Sequence, residues 1–164
     1  MIALRASTIM LVFSMCFLVG GSAGHSSFAQ TNTDKRAKQL ENEKKKLTRL
    51  KNPADRAQSL MKIADITLMY LRDALTTNDI SKLNECATSY RHTVKEARDT
   101  MMNSGLDPLK KPKGYKTIEL ATRVHLRILE DSMRRVSLDD RQALEEAIDE
   151  ATKIRTEMID VLFP

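Results

Sequence analysis

Asn103-Ser-Gly-Leu-Asp-Pro-Leu-Lys-Lys-Pro-Lys-Gly-Tyr-Lys116 is the stretch that decides the fold. Beyond residue 29 the chain has two glycines, Gly105 and Gly114, and both fall here, with Pro108 and Pro112, two of its four prolines. Glycine and proline are the strongest local interrupters of regular structure, so this segment divides an otherwise helical sequence. Gly105 stands where a helix ends. With Gly105 at C′, Leu106 is C″ and Met101 is C3, the apolar pair that accompanies a Schellman ending.

Upstream of the break, Asn52-Pro53-Ala-Asp55 is a helix start, with Asn at N-cap, Pro at N1 and an acid at N3. Ala57, Met61, Ala64, Leu68, Leu71 and Leu75 follow at alternating gaps of four and three, the coiled-coil-like alternation that keeps one helix face against a partner. Asn78-Asp79 offers a turn and a new cap. Ile80, Leu83, Ala87, Tyr90, Val94, Ala97 and Met101 then repeat the pattern. Downstream, Tyr115, Ile118, Thr122, Leu126, Leu129, Met133 and Val136 make a third stripe, and Leu144, Ala147, Ala151, Ile154, Met158 and Val161 a fourth. Ser137-Leu-Asp-Asp140 between them resembles a capping box. The helices are thus expected at about 53–77, 79–104, 115–136 and 138–162.

Short turns at Asn78 and Ser137 enforce antiparallel hairpins. Two hairpins of near-equal length predict an all-α fold, a four-helix antiparallel bundle over 53–164, with a short helical solenoid as the alternative. Shifting Ile66, Leu68, Leu71, Asp73 and Leu75 by 58 positions gives Val124, Leu126, Leu129, Asp131 and Met133, an echo open to two readings, an internal duplication or, the one favoured, two amphipathic helices in register. Ahead of the bundle, 34–51 reads as a basic helix with a thin stripe of Ala37, Leu40, Leu47 and Leu50. So few apolar residues predict a frayed or loosely docked segment over 30–52.

The first 29 residues have the three-part layout of a secretory signal peptide. Arg5 is followed by the uncharged run Ile9–Val19 and then by small residues. Small residues at Ser27 and Ala29 place cleavage before Gln30, with Ala23 and Gly24 as alternatives. The run is about half the ~20 residues of a membrane span. A soluble periplasmic or extracellular destination follows. Such compartments favour disulfides, yet Cys86 is the only cysteine past the leader.

Composition narrows function. The chain has 164 residues, no Trp and four Phe, three of them in the leader, so the core must be Leu, Ile, Met and Ala rather than an aromatic-lined cofactor pocket. A formal charge of +5 is far from a nucleic-acid-binding balance. No haem-attachment, phosphate-loop or nucleophile-elbow motif occurs. His92 and Glu96 share a helix face, but neither His92 nor His125 follows a Glu by three residues, as the di-metal bundles require. Both are expected at the surface or the core edge, with no metal and no cofactor. Cys86, beside the second stripe, is expected to be a buried, inert thiol. Lys110, Lys111, Lys113, Tyr115 and Lys116 form the candidate contact patch for an anionic surface, joined by the basic helix.

Asp55-Arg56…Ile63-Ala-Asp65, Asp139-Asp-Arg-Gln142 and Glu157-Met…Leu162-Phe-Pro164 resemble pieces of uncharacterised secreted all-helical bacterial proteins, a likeness that implies no activity. Leu138-Asp-Asp-Arg-Gln142 is similar to the Leu-Thr-x-x-Gln motif of the Spy/CpxP-like periplasmic chaperones, with Asp139 in place of Thr. That resemblance implies a small, cofactor-free, client-binding protein. The expectation from the residues is a non-enzymatic interaction or scaffold module with protein partners; the alternative is an envelope chaperone.

Overall fold

A computed structural model describes residues 26–164, with side chains described from Asp34 onward. The expected leader therefore lies outside the described residues, apart from the backbone of its last four. The described chain is all-α: α1 (Ser26–Leu47), α2 (Pro53–Thr76), α3 (Ile80–Met102), α4 (Lys113–Met133), a 3-10 turn (Leu138–Asp140) and α5 (Gln142–Leu162). No strand occurs among the described residues.

The ends of α2 and the start of α3 are closed by local chemistry. Asn52 Oδ1 accepts from the N–H groups of Ala54 and Asp55 at 2.9 and 3.4 Å, satisfying donors that have no partner inside α2. At the other end Asn78 adopts a left-handed φ of 54°. The Asp79 N–H then reaches Ala74 O at 2.9 Å and the Asn78 N–H reaches Leu75 O at 3.3 Å, the two bonds of a Schellman motif with Asn at C′. Asp79 serves at once as C″ of α2 and N-cap of α3, its carboxylate accepting from the Lys82 N–H at 2.9 Å.

The end of α3 departs from the expected Schellman pair. Gly105 does take a left-handed φ of 67°, but the Leu106 N–H donates to Ser104 Oγ at 3.2 Å and Ser104 Oγ donates to Met101 O at 2.6 Å. Tyr115, reaching back from α4, places its hydroxyl 3.0 Å from Met101 O and 2.9 Å from Leu106 O, its single proton shared between them. A side chain fourteen residues downstream thus finishes the helix that the backbone alone was expected to finish. α4 also begins earlier than expected, at Lys113, and takes Gly114 into its first turn. A Cβ on Gly114 would lie 2.4 Å from Met101 Sδ and 3.2 Å from Ala54 Cα, so this glycine marks a close approach of α2, α3 and α4 rather than a flexible joint.

The capping box expected at Ser137 is not formed. The Ser137 hydroxyl donates to Asp140 Oδ2 at 2.6 Å instead of accepting from a backbone N–H, and residues 138–140 wind as 3-10 helix. Asp is one methylene shorter than the usual Glu, and its carboxylate meets the serine rather than the cap N–H.

α2 packs on α3 and on α4, α3 on α5, and α4 on α5, with α3 and α4 meeting only slightly. Each hairpin is antiparallel, but the two hairpins lie side by side with α2 parallel to α4 and α3 parallel to α5. Lys113 Nζ donates to Asp55 Oδ1 at 3.2 Å across 58 residues, and Arg98 Nε to Glu157 Oε2 at 2.7 Å across 59. These separations lie close to the 58-residue interval of the echo in the sequence. The core holds Leu60, Leu68, Leu71, Leu83, Ile118, Leu129, Leu144 and Ile154, each all but inaccessible. Full burial of such a side chain contributes about 1.5–3 kcal/mol. Ala57, Ala64, Ala87, Ala97, Ala147 and Ala151 are buried among them.

α1 docks on α2, antiparallel to it, and it does so through polar ties. None of its described residues is fully buried. The Ser59 hydroxyl donates to Glu43 Oε2 at 2.7 Å, Lys62 pairs with Glu43 at 3.7 Å, Arg36 pairs with Asp73, and the Arg56 guanidinium donates to Leu47 O at 3.0 Å. Leu47 packs against the edge of the core, and charge and hydrogen bonds supplement that thin apolar contact.

Candidate anion-contact surface

The parallel arrangement of α2 and α4 brings two basic segments, more than fifty residues apart in sequence, to one end of the molecule. α1 ends there with Lys44, Lys45 and Lys46 in its last turn, followed by Arg49 and Lys51. The loop 103–112 and the start of α4 contribute Lys110, Lys111, Lys113 and Lys116, all exposed. Asn52, Pro53, Ala54 and Leu106 join these four lysines around an open cleft of about 480 Å³. Lys113 is engaged by Asp55 at 3.2 Å and Lys110 by Asp107 at 3.6 Å. Lys111 and Lys116 have no ion-pair partner among the described residues. α4 has no side-chain cap and no acidic residue in its first turn, so its N-terminal partial charge adds to that of the lysines. The same end exposes Met102, Leu109 at 63% and Phe163 at 74%.

Tyr115 does not belong to this surface. It was expected among the lysines as a contact residue, but it is buried at the junction of α3 and α4 and its hydroxyl is committed to Met101 O and Leu106 O. In the first turn of α4 its side chain faces inward while Lys113 and Lys116 face out. The aromatic residue orders the loop that carries the lysines.

The histidines part company. His92 is exposed near Glu96, and Glu96 is paired with Arg56 at 3.6 Å. His125 is wholly buried rather than at the core edge. Its Nε2 lies 2.6 Å from Asp65 Oδ1 on α2, and its ring meets the Tyr90 ring edge-on at a centroid distance of 5.4 Å. His125 Nδ1 and Tyr90 Oη have no hydrogen-bond partner. Burial, with the Asp65 charge nearby, pushes the Tyr90 hydroxyl well above its ordinary range. Nothing within one turn of His125 marks it as paired. The signal lay sixty residues away, on the parallel helix α2. The pair ties α2 to α4; of the residues lining the 380 Å³ cleft beside α1, only Asp65 belongs to it.

Cys86 is buried, and burial pushes its thiol up, partly offset by the Lys82 charge. It borders a cleft of about 440 Å³ between α1, α2 and α3 with Leu40, Thr67 and Tyr70. Met61, Met101 and Met158 lie in the core. Among the described residues no three His, Cys, Asp or Glu side chains come together as a metal-ligand set, and no helix is long and apolar enough to cross a membrane. Comparison with protein-family models, with curated proteins and with solved structures gives no match.

Proposed function

We propose that the chain is an exported, non-enzymatic helical protein that works by contact, as an interaction or scaffold module of the periplasm or extracellular space. In this reading a cleaved leader precedes a basic helix and a four-helix bundle assembled from two antiparallel hairpins. One observation carries it: two separate basic segments converge on one end of the molecule, where the lysines of the second line an open cleft. Surface charge gathered in this way favours encounter with an acidic or phosphate-bearing partner. Capture from the envelope fraction of an expressing cell with tagged chain beginning at Gln30 tests it. Recovery of a specific partner, lost when the basic end is charge-reversed, is expected; recovery unchanged by the reversal contradicts it.

A client-binding role is the second reading. Leu138, the first residue of the chaperone-like fragment, is 78% exposed, and Met69 and Met102 are exposed as well. The methionines of the helical stripes lend it no support, because they pack the core. Suppression of client aggregation at near-stoichiometric ratio, abolished by Leu138→Asp, is the outcome it requires.

A further inference from the structure

We propose that the basic end is a docking surface for the headgroup layer of an anionic lipid bilayer, with Lys111 and Lys116 contacting phosphates and Leu109 and Phe163 entering the interface. This deepens the contact reading above by naming the partner surface.

Three features of one end point to a bilayer. Its cations come from two chain segments and face outward, so they present a broad surface rather than a pocket closed around one small anion. Lys111 and Lys116 have no acidic partner to displace, and their charge is open to a ligand. The same end carries exposed apolar side chains, which a soluble phosphate compound has no use for. Leu109 stands directly before Lys110 and Lys111, and Phe163 follows the end of α5. Phe163 reaches this end because α5 runs parallel to α3, as the Arg98–Glu157 bond requires. Lysines beside exposed Leu and Phe are the composition that binds the boundary between headgroups and acyl chains. Each lysine near such a surface contributes roughly fivefold in affinity at low salt.

The opposite end is the built-in control. There Arg134 is paired with Asp131 at 3.5 Å, and Asp79, Asp139 and Asp140 dilute the basic charge.

The experiment is co-sedimentation of the chain from Gln30 onward with vesicles. The core and every tie described lie within residues 34–164, and the fold of each variant is to be checked by circular dichroism. Vesicles of equal parts phosphatidylglycerol and phosphatidylcholine should bind the chain at about 50 mM salt and release it at about 500 mM, where the Debye length is only ~4 Å. Pure phosphatidylcholine should not bind. Lys111→Glu with Lys116→Glu should weaken binding about thirtyfold or more. Leu109→Ser with Phe163→Ser should weaken it severalfold, and Arg134→Glu with Arg135→Glu should change it by less than twofold. No binding to the anionic vesicles at low salt overturns the proposal, as does equal loss from the control pair. Competition by soluble inositol hexakisphosphate, with no effect of the Leu109 and Phe163 changes, also overturns it in favour of a phosphate-only site. The vesicles contain no protein, so failure here leaves the capture experiment above unaffected, and the reverse holds.

Discussion

The two ends of the helical pack are closed by different means. At the end holding Asn78 and Ser137, nearby residues do the work: the Asn78 Schellman turn, the Asp79 cap, and the Arg141 guanidinium donating to Val136 O at 3.1 Å. At the basic end Asn52 and Ser104 also act locally, but the end of α3 takes in addition the hydroxyl of Tyr115 from α4, and the start of α4, which has no side-chain cap, is fixed by the close approach of Gly114 to Met101 and Ala54. Long-range closure needs few polar side chains at the surface. It leaves Lys111 and Lys116 without an ion-pair partner among the described residues, and free charge is what a contact surface needs.

That contrast can be broken by mutation, starting where the largest effect is expected. Gly114→Val should cost about 3 kcal/mol in urea unfolding, since the new side chain meets Met101 and the Ala54 backbone together. A cost near zero would mean that the close approach of α2 and α4 is absent. Tyr115→Phe should cost about 1–2 kcal/mol by taking the phenol donor from the Leu106 carbonyl and from Met101 O, which keeps only Ser104. It should also raise amide exchange across 104–112, which a purely local helix end would not. At the other end, Asp79→Ala should cost about 1 kcal/mol and loosen only the α2–α3 turn.

The smallest effect at neutral pH belongs to the seam between the ends. Tyr90→Phe removes a buried hydroxyl that has no partner, so stability near pH 7 should change by less than about 0.5 kcal/mol. At alkaline pH the two proteins should diverge. Burial raises the folded-state values of both Tyr90 and Cys86 above their unfolded ones. Their contribution is therefore complete at neutral pH and lost as the unfolded thiol and phenol ionise, above about pH 8.5 and pH 10. Tyr90→Phe should keep the first loss and flatten the second in urea titrations. An unchanged slope above pH 10 would place Tyr90 in contact with water.

Much of the helical layout was legible because it rests on short-range rules. The stripes of Leu83–Met101 and Leu144–Met158 need only helical periodicity, and Asn52 and Asp79 need only cap chemistry. Readings failed where a distant group competed with a local one. Ser104 and Tyr115 took the Met101 carbonyl that a Schellman turn at Gly105 was expected to use, and Asp140 met Ser137 before the cap could form. The lysines of the candidate surface were legible as exposed, although Lys113 and Lys116 stand in the first turn of α4 rather than in a loop. Tyr115 was not, because a tyrosine beside four lysines reads as surface until the facing helix end is known. His125 was hidden for the same reason: its partner, Asp65, is set by the parallel packing of α2 and α4, which neither helix announces alone.

The most direct test of the basic end as contact surface is amide hydrogen exchange of the chain from Gln30 with and without anionic vesicles at low salt. Added protection confined to about 48–54 and 104–116 is the predicted result, with 77–79 and 134–141 unchanged. Protection at the Asn78 and Ser137 turns, or none at either end, would contradict the account.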